Sequence, residues 1–235
     1  MSTMTLRPAG ELRKVALDAD RRLAGAPAAE IVAWAVEEFG RGLAVACSMA
    51  EAVLPHLVSQ ALPDVDVLFL DTGYHFDETL QTRDEVARRL PVTVVNIEPR
   101  RTVTEQDEEF GDRMHSWDPV RCCEMRKVVP LRQTLTRYEA WATGVRRGDT
   151  ETRKGTKVVE WDTTNAVVKV NPLAAWSQDD IDAYVAQHDV PTNPLLRQGY
   201  PSIGCAPCTK RVQPGSDLRA GRWEGFDKTE CGIHI

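Results

Sequence analysis

No apolar stretch in this 235-residue chain approaches the ~18–20 residues that a membrane span requires. The longest strand-like run, Val65 to Leu70, is already interrupted by Asp66. The segment Met1 to Ala19 lacks the apolar core of a secretory leader, so none is expected. Internal repeats and low-complexity tracts are absent as well. The chain has no positive surplus either: 29 Lys+Arg against 35 Asp+Glu give a net charge of −6, which argues against a general nucleic-acid surface. With 42% hydrophobic and 27% charged residues, disordered and collagen-like classes are excluded. The expectation is a cytoplasmic globular protein with no membrane and no nucleic acid among its partners, able to bury a sizeable core.

A reducing compartment changes how the six cysteines are read: Cys47, Cys122, Cys123, Cys205, Cys208 and Cys231. Metal ligation or thiol catalysis takes precedence over a disulfide framework, and the even count is no sign of pairing. Cys205-Ala-Pro-Cys208 is a C-x-x-C pair in a turn after Gly204, and Cys122-Cys123 is an adjacent pair at the start of a helix. Four such thiolates suit an iron–sulfur cluster or a tetrahedral zinc site. Neighbouring cysteines must both turn to one zinc ion, whereas a cubane presents separate irons, which favours [4Fe–4S]. Cys231 stands apart, near the C-terminus, where a thiol on a mobile tail can reach a bound ligand. Cys47, in an apolar run, reads as a small core residue.

Charge is also unevenly placed. From Arg121 to Lys157 there are ten basic and four acidic residues, so this stretch is +6 and the remainder −12. A basic middle in an acidic protein reads as a local anion site, or as a solvated helix face followed by a basic loop.

Helical spacing predicts helices over 28–39, 50–61, 75–90, 104–110, 123–137 and 177–188. Strands are predicted over 43–47, 65–70, 92–97, 139–143 and 166–170. Strands alternating with helices predict an α/β fold, a parallel sheet with helices on both faces. Beyond Val190, Pro, Gly and Cys punctuation predicts an irregular region laid over the mouth of the sheet. The expected organisation is an N-terminal helical extension (1–27), an α/β domain (28–190) and a C-terminal segment with a mobile tail (191–235). In such sheets ligands bind at the carboxyl ends of strands. Ser48 and the Leu70-Asp71-Thr72-Gly73 turn lie there, as anion and ribose contacts or as a plain N-cap and a plain turn.

Six separated motifs together resemble the assimilatory adenosine 5′-phosphosulfate (APS) reductases. They are Cys47-Ser48-Met-Ala-Glu51, Leu70-Asp-Thr-Gly-Tyr-His-Phe76, Cys122-Cys123-Glu-Met-Arg126-Lys127, Gly144-Val-Arg-Arg147, Gly204-Cys205-Ala-Pro-Cys208 and Glu230-Cys231-Gly232-Ile-His234. The resemblance runs from about residue 40 to the end and is strongest with actinobacterial members. It implies an adenine nucleotide α-hydrolase-like fold, the thioredoxin-dependent reduction of APS to sulfite and AMP, and one [4Fe–4S] cluster on Cys122, Cys123, Cys205 and Cys208. It also makes the α/β domain (28–190) nucleotide-binding, the C-terminal segment (191–235) cluster-binding and its tail catalytic. Carried over residue by residue, it implies nucleotide contacts at Ser48, Glu51, Leu70, Asp71, Thr72, Gly73, Gly144 and Arg153. The phosphosulfate is expected near Lys127, Arg219 and Arg222, with Cys231 as nucleophile and His234 assisting. Met49, Ala50 and Ala52 replace key positions of the Ser-Gly-Gly-x-Asp-Ser loop of related ATP pyrophosphatases, which fits reaction at sulfur rather than pyrophosphate cleavage. The alternatives are 3′-phospho-APS (PAPS) as substrate, and a nucleotide-binding iron–sulfur sensor without turnover. A tRNA-thiolating enzyme would want the intact loop and a nucleic-acid surface. A homo-oligomer is compatible with the sequence.

Overall fold

The computed structural model describes residues 5–213 and 215–234. Its strands are β1 (Leu43–Ala46), β2 (Val65–Leu70), β3 (Val92–Ile97), β4 (Ala140–Ala142), β5 (Val159–Asp162) and β6 (Val167–Val170). They form one sheet in the order β3-β2-β1-β4-β6-β5, parallel except for β5, which pairs antiparallel with β6 at the edge. The helices are α1 (Ala9–Leu23), α2 (Ala28–Phe39), α3 (Val53–Ala61), α4 (Asp77–Arg89), α5 (Val103–Phe110), α6 (Pro119–Cys123), α7 (Val129–Leu135) and α8 (Gln178–His188). Among the described residues no helix is long and apolar enough to cross a membrane.

The period-2 alternation of each strand divides the core. Val45 of β1, Val67 and Phe69 of β2, and Ala140 and Ala142 of β4 pack with Leu12 and Ala16 of α1, Ile31 and Ala35 of α2, and Val53 and Val58 of α3. On the other face Ala44, Leu68, Trp141 and Val167 pack with Leu131 and Leu135 of α7. Helices cover both faces, as expected. The strand order runs outward from β1 to β2 and β3, then reverses through β4 on the other side. A crevice therefore opens where the carboxyl ends of β1 and β4 diverge, the usual place for a ligand in an open α/β sheet.

Three local features differ from the sequence expectation. The predicted helix over 50–61 starts only at Val53, because residues 49–52 are held by the chain at 191–193. Ala52 N donates to Pro191 O at 3.0 Å, Asn193 N donates to Ala50 O at 2.8 Å, and Met49 is left-handed at φ 60°. The helix expected from Cys123 begins at Pro119, with the Asp118 carboxylate accepting from Arg121 N at 2.9 Å. An N-cap Asp followed by Pro at the first helical position is the sequence signal for that start. Between α6 and α7 the helix widens into a π-turn over Glu124–Val128. Third, β5 forms a hairpin with β6 through a turn organised by Asp162, whose Oδ1 accepts from Thr164 N and Asn165 N at 3.0 Å. Its Val159-Glu-Trp-Asp162 alternation is half apolar, and that short pattern escaped the periodicity reading.

The N-terminal segment is bound to the sheet by charge. Glu139, at the entry to β4, accepts from Arg7 N at 2.7 Å and from Arg7 Nε and Nη2 at 2.9 and 2.7 Å. Burial opposes charge on Glu139, but the hydrogen bonds and charge of Arg7 prevail and hold its carboxyl below the usual range. A depressed carboxylate stabilises the fold above its unfolded pKa and loses that contribution as pH falls through the folded value. Glu139→Gln is therefore expected to lower stability at pH 7 by about 1–3 kcal/mol. In urea titrations the gap to the parent protein should close as pH is lowered toward ~3.

Candidate functional site

A cleft of about 270 Å³ lies at the reversal of the sheet. Its floor is the carboxyl ends of β1, β2 and β4, with Ser48 and Glu51 after β1, Leu70 at the end of β2 and Gly144 after β4. Lys127, Arg146, Arg153, Arg219 and Arg222 face it, against the acidic Glu51, Asp149 and Glu230. The cationic excess suits an anionic ligand.

The partners of these cations differ. Arg146 Nε donates to Asp149 Oδ1 at 2.9 Å, and Arg153 Nη1 donates to Asp149 Oδ2 at 3.1 Å. Arg219 and Arg222 meet the same hydroxyl, Ser202 Oγ, at 3.4 and 3.3 Å, and the buried Nε of each arginine has no partner among the described residues. Burial lowers the pKa of Arg219, partly offset by Glu230. A Cβ at Gly204 would collide with the Arg222 guanidinium, so the missing side chain is what lets Arg222 lie against this backbone. Two buried guanidinium donors left over are what an anion would satisfy.

The C-terminal tail closes one side of the cleft. Glu230, Cys231, Ile233 and His234 all line it. Ile233 packs against the Trp141 side of the core, and His234 stacks on Trp141 with ring centroids 5.7 Å apart. Burial, with Lys169, Arg153 and Arg219 nearby, pushes the His234 pKa well down, so the docked ring is neutral. Cys47, by contrast, is pushed up to about 12 by burial and stays a thiol at neutral pH.

The other four cysteines surround a separate small void, lined also by Tyr74, His115, Arg126, Lys127 and Trp223. Lys127 faces both this void and the cleft. Burial pushes Cys122 up to about 12 and Cys208 up to about 11, and the neighbouring thiols add to each shift. For Cys205 burial is overcome by Lys127, by the Thr72 hydroxyl 3.2 Å from its Sγ and by Arg222, so its pKa falls. Lys127 is desolvated too, but the charges of Cys205, Cys231 and Cys123 outweigh that and raise its pKa. Four thiols crowded out of water resist joint ionisation unless a cationic centre joins them. As they stand, no three Cys, His, Asp or Glu among the described residues are disposed to hold a metal ion, so the fit to a metal group rests on this donor chemistry.

The sequence-predicted residues divide between these two spaces. Ser48, Glu51, Leu70, Lys127, Gly144, Arg153, Arg219, Arg222, Cys231 and His234 meet at the cleft. Asp71, Thr72 and Gly73 do not line it. They form the turn between the spaces: Asp71 Oδ1 accepts from Gly73 N at 3.1 Å, and Thr72 O accepts from Arg126 Nε at 2.5 Å. Gly73 is left-handed at φ 72°, and a Cβ there would press on Val103 and on Arg126 Nη2 at 3.0 and 3.1 Å. Cleft residues missed by sequence reasoning are His75, Arg146, Asp149 and Glu230. His75, Arg146 and Glu230 lie inside quoted motifs. Asp149 is a loop acid placed by its contacts with arginines, and nothing local marks it.

Over residues 42–211 the chain matches the family described as phosphoadenosine phosphosulfate reductase domain. It is 54% identical over 228 residues to a Streptomyces coelicolor protein named adenosine 5′-phosphosulfate reductase, covering 97% of each chain. It is 48% identical over 235 residues to the Mycolicibacterium smegmatis protein of that name, covering 100% of each. Among solved structures, phosphoadenylyl-sulfate reductase from Candida auris superposes with a TM-score of 0.71 at 24% identity, over 90% of this chain and 100% of that one. An FMN adenylyltransferase from Candida glabrata superposes with a TM-score of 0.56 at 14% identity, over 94% of this chain and 86% of that one. At such identities the structural likeness bears on fold alone.

Glu51 yields a test of the cleft's electrostatics. Burial, reinforced by Asp149 and Asp182 and opposed by Arg146, pushes its carboxyl up to about 7. A raised folded pKa stabilises at low pH and loses that contribution as pH rises from the unfolded value through about 7. Glu51→Gln is expected to be near neutral at pH 4 and stabilising at pH 8, on the order of 3 kcal/mol. Urea midpoints at the two pH values, at constant m-value, measure this.

Proposed function

The chain belongs to the phosphoadenosine phosphosulfate reductase family, and on that premise we propose that it reduces APS to sulfite and AMP with thioredoxin as electron donor. The observation that carries this reading is the meeting of Cys231, on the docked tail, with Lys127, Arg219 and Arg222 in one cleft. Those cations suit the phosphosulfate, and the strand-end residues Ser48, Glu51 and Leu70 suit the nucleoside side. APS rather than PAPS is supported by the names of the curated relatives and by the four cysteines around the second void.

In the proposed reaction the Cys231 thiolate attacks the sulfate sulfur. The bond from sulfur to the bridging phosphate oxygen breaks with its electron pair, AMP leaves, and an S-sulfocysteine remains. A thioredoxin thiolate then attacks Cys231 Sγ, sulfite departs with the S–S electron pair, and the second thioredoxin thiol resolves the mixed disulfide. Two electrons pass from the dithiol to sulfur. Lys127, Arg219 and Arg222 hold the anion and offset charge on the departing groups. His234, neutral and stacked on Trp141, holds the tail rather than supplying charge. Cys122, Cys123, Cys205 and Cys208 fit one [4Fe–4S] cluster, which when bound supplies a fixed polarising charge beside Lys127.

This reading divides the chain into an N-terminal helical segment (1–27), a nucleotide-binding body (28–190) and a C-terminal segment with the tail (191–235). Cys122 and Cys123 come from the body, Cys205 and Cys208 from the C-terminal segment. The cytoplasm, where thiols stay reduced, is its proposed location.

Anaerobically purified protein given APS and reduced thioredoxin is expected to release AMP and sulfite in equal amounts, with a lower kcat/KM for PAPS. Without thioredoxin, the peptide containing Cys231 should gain the mass of one SO₃, ~80 Da, and one AMP should be released. Cys231→Ser should keep its iron and its APS binding yet lose turnover, a hydroxyl being a far weaker nucleophile than a thiolate. Retained turnover, or an adduct on Cys47, overturns the assignment.

Iron and acid-labile sulfide should each amount to about four per chain. Serine at any one of Cys122, Cys123, Cys205 or Cys208 should lower cluster absorbance and activity together. Stoichiometric zinc without sulfide would replace the cluster assignment.

A further inference from the structure

Cys231 is placed by its neighbours. The residue before it, Glu230, accepts two parallel bonds from Arg153, Nε to Oε1 and Nη2 to Oε2, both at 2.8 Å. These side chains are only 13% and 9% exposed, for Arg153 and Glu230 respectively. Arg219 reaches the same carboxylate at 3.4 Å and donates to Thr229 O at 2.9 Å. Two residues beyond the thiol, Ile233 enters the core, and His234 follows it onto Trp141. Cys231 is thus suspended between an apolar anchor and an ionic one.

We propose that the Glu230–Arg153 pair is the latch that holds the Cys231 thiol at the cleft, which makes Glu230 a positioning residue for the reaction. This rests on reading Cys231 as the nucleophile. A planar fork on a carboxylate fixes orientation as well as distance, which a single hydrogen bond does not. Arg153 is oriented in turn by Asp149, so the latch is tied to the loop that follows β4. The arrangement also divides labour among the arginines. Arg153 commits three donors to two carboxylates, while among the described residues Arg219 keeps a buried Nε without a partner. The tail therefore docks on Arg153 and leaves an Arg219 donor for the substrate anion.

The test compares Glu230→Gln, Glu230→Asp, Arg153→Met and the Glu230→Gln/Arg153→Met double variant, each as anaerobically purified holoenzyme with thermal midpoint and cluster absorbance checked. The first readout is labelling of Cys231 by a bulky maleimide without nucleotide, followed by peptide mass spectrometry. The second is the single-turnover rate of sulfo-adduct formation at saturating APS, and the third is APS affinity. Glu230→Gln and Arg153→Met are expected to label about tenfold faster and to form adduct about tenfold more slowly. Glu230→Asp should fall between them and the parent. APS affinity of Glu230→Gln should stay within about twofold of the parent, because Glu230 holds the tail and not the nucleotide. The double variant should be no worse than the worse single, since both remove one interaction. Parent-like labelling and adduct rates in Glu230→Gln, or losses that multiply in the double variant, overturn the latch. If the parent forms no adduct while Glu230→Gln still exposes Cys231 to maleimide, the reductase reading fails and the latch stands.

Discussion

Five cationic side chains drawn partly out of water around one cleft repel each other, and the site is organised by how that repulsion is met. Arg146 and Arg153 share Asp149, and Arg153 also takes the tail carboxylate. Lys127 is raised in pKa by thiols that flank it on the side away from solvent, and by Cys231. Arg219 and Arg222 are least compensated, each with a buried donor unused among the described residues. An incoming anion meets a graded field, strongest where the protein has supplied the fewest acids of its own.

That gradient depends on a joint between two spaces. The π-turn over Glu124–Val128 contains both Arg126 and Lys127. Such local widenings recur at functional sites because they alter which way successive side chains face. Arg126 is buried against Thr72 O and Gln106 Oε1 and lies over the Tyr74 ring. Lys127, next in sequence, faces both the cleft and the thiol void. The Thr72 hydroxyl, on the same turn that Arg126 holds, touches Cys205. Charge at the thiols is thereby felt at Lys127 through one residue rather than through a chain of contacts. The partition explains why the Asp71-Thr72-Gly73 turn, a strand-end motif that points to a ligand, spends its polar groups on bracing the wall.

Much of this was legible in the sequence because strongly patterned segments carry their own constraint. The runs 28–39, 65–70 and 92–97 form their elements at the expected boundaries, since apolar periodicity and local stops agree there. The last long helix also forms where its spacing predicts, and Ser177 caps it with a full reciprocal capping box to Asp180. The start of α3 was not legible, because the chain at 191–193, more than a hundred residues on, holds residues 49–52 out of the helix. The same limit applies to the site. Cysteine spacing marks the four thiols, but not Arg126 behind them. The tail motif marks Cys231, but the role of Glu230 depends on Arg153 lying opposite it, a pairing 77 residues apart.

The docked tail imposes a final constraint on its own strength. Cys231, Ile233 and His234 line the cleft that the nucleotide is proposed to occupy, so tail docking and nucleotide exchange compete for the same opening. A tail held too loosely leaves the thiol in position for only a fraction of the time and scales the rate of attack by that fraction. A tail held by a fully buried, unscreened network would close the cleft to both nucleotide and thioredoxin. The structure lies between these limits. Its ionic anchor is partly exposed and its apolar anchor is a single isoleucine backed by a stacked ring, interactions worth a few kcal/mol together. Anchors of that size favour the docked state without locking it, as local release at a cleft requires. The neutral His234 fits this balance, because a charged ring in that position would face Lys169, Arg153 and Arg219 with no side-chain partner among the described residues and weaken the docked state.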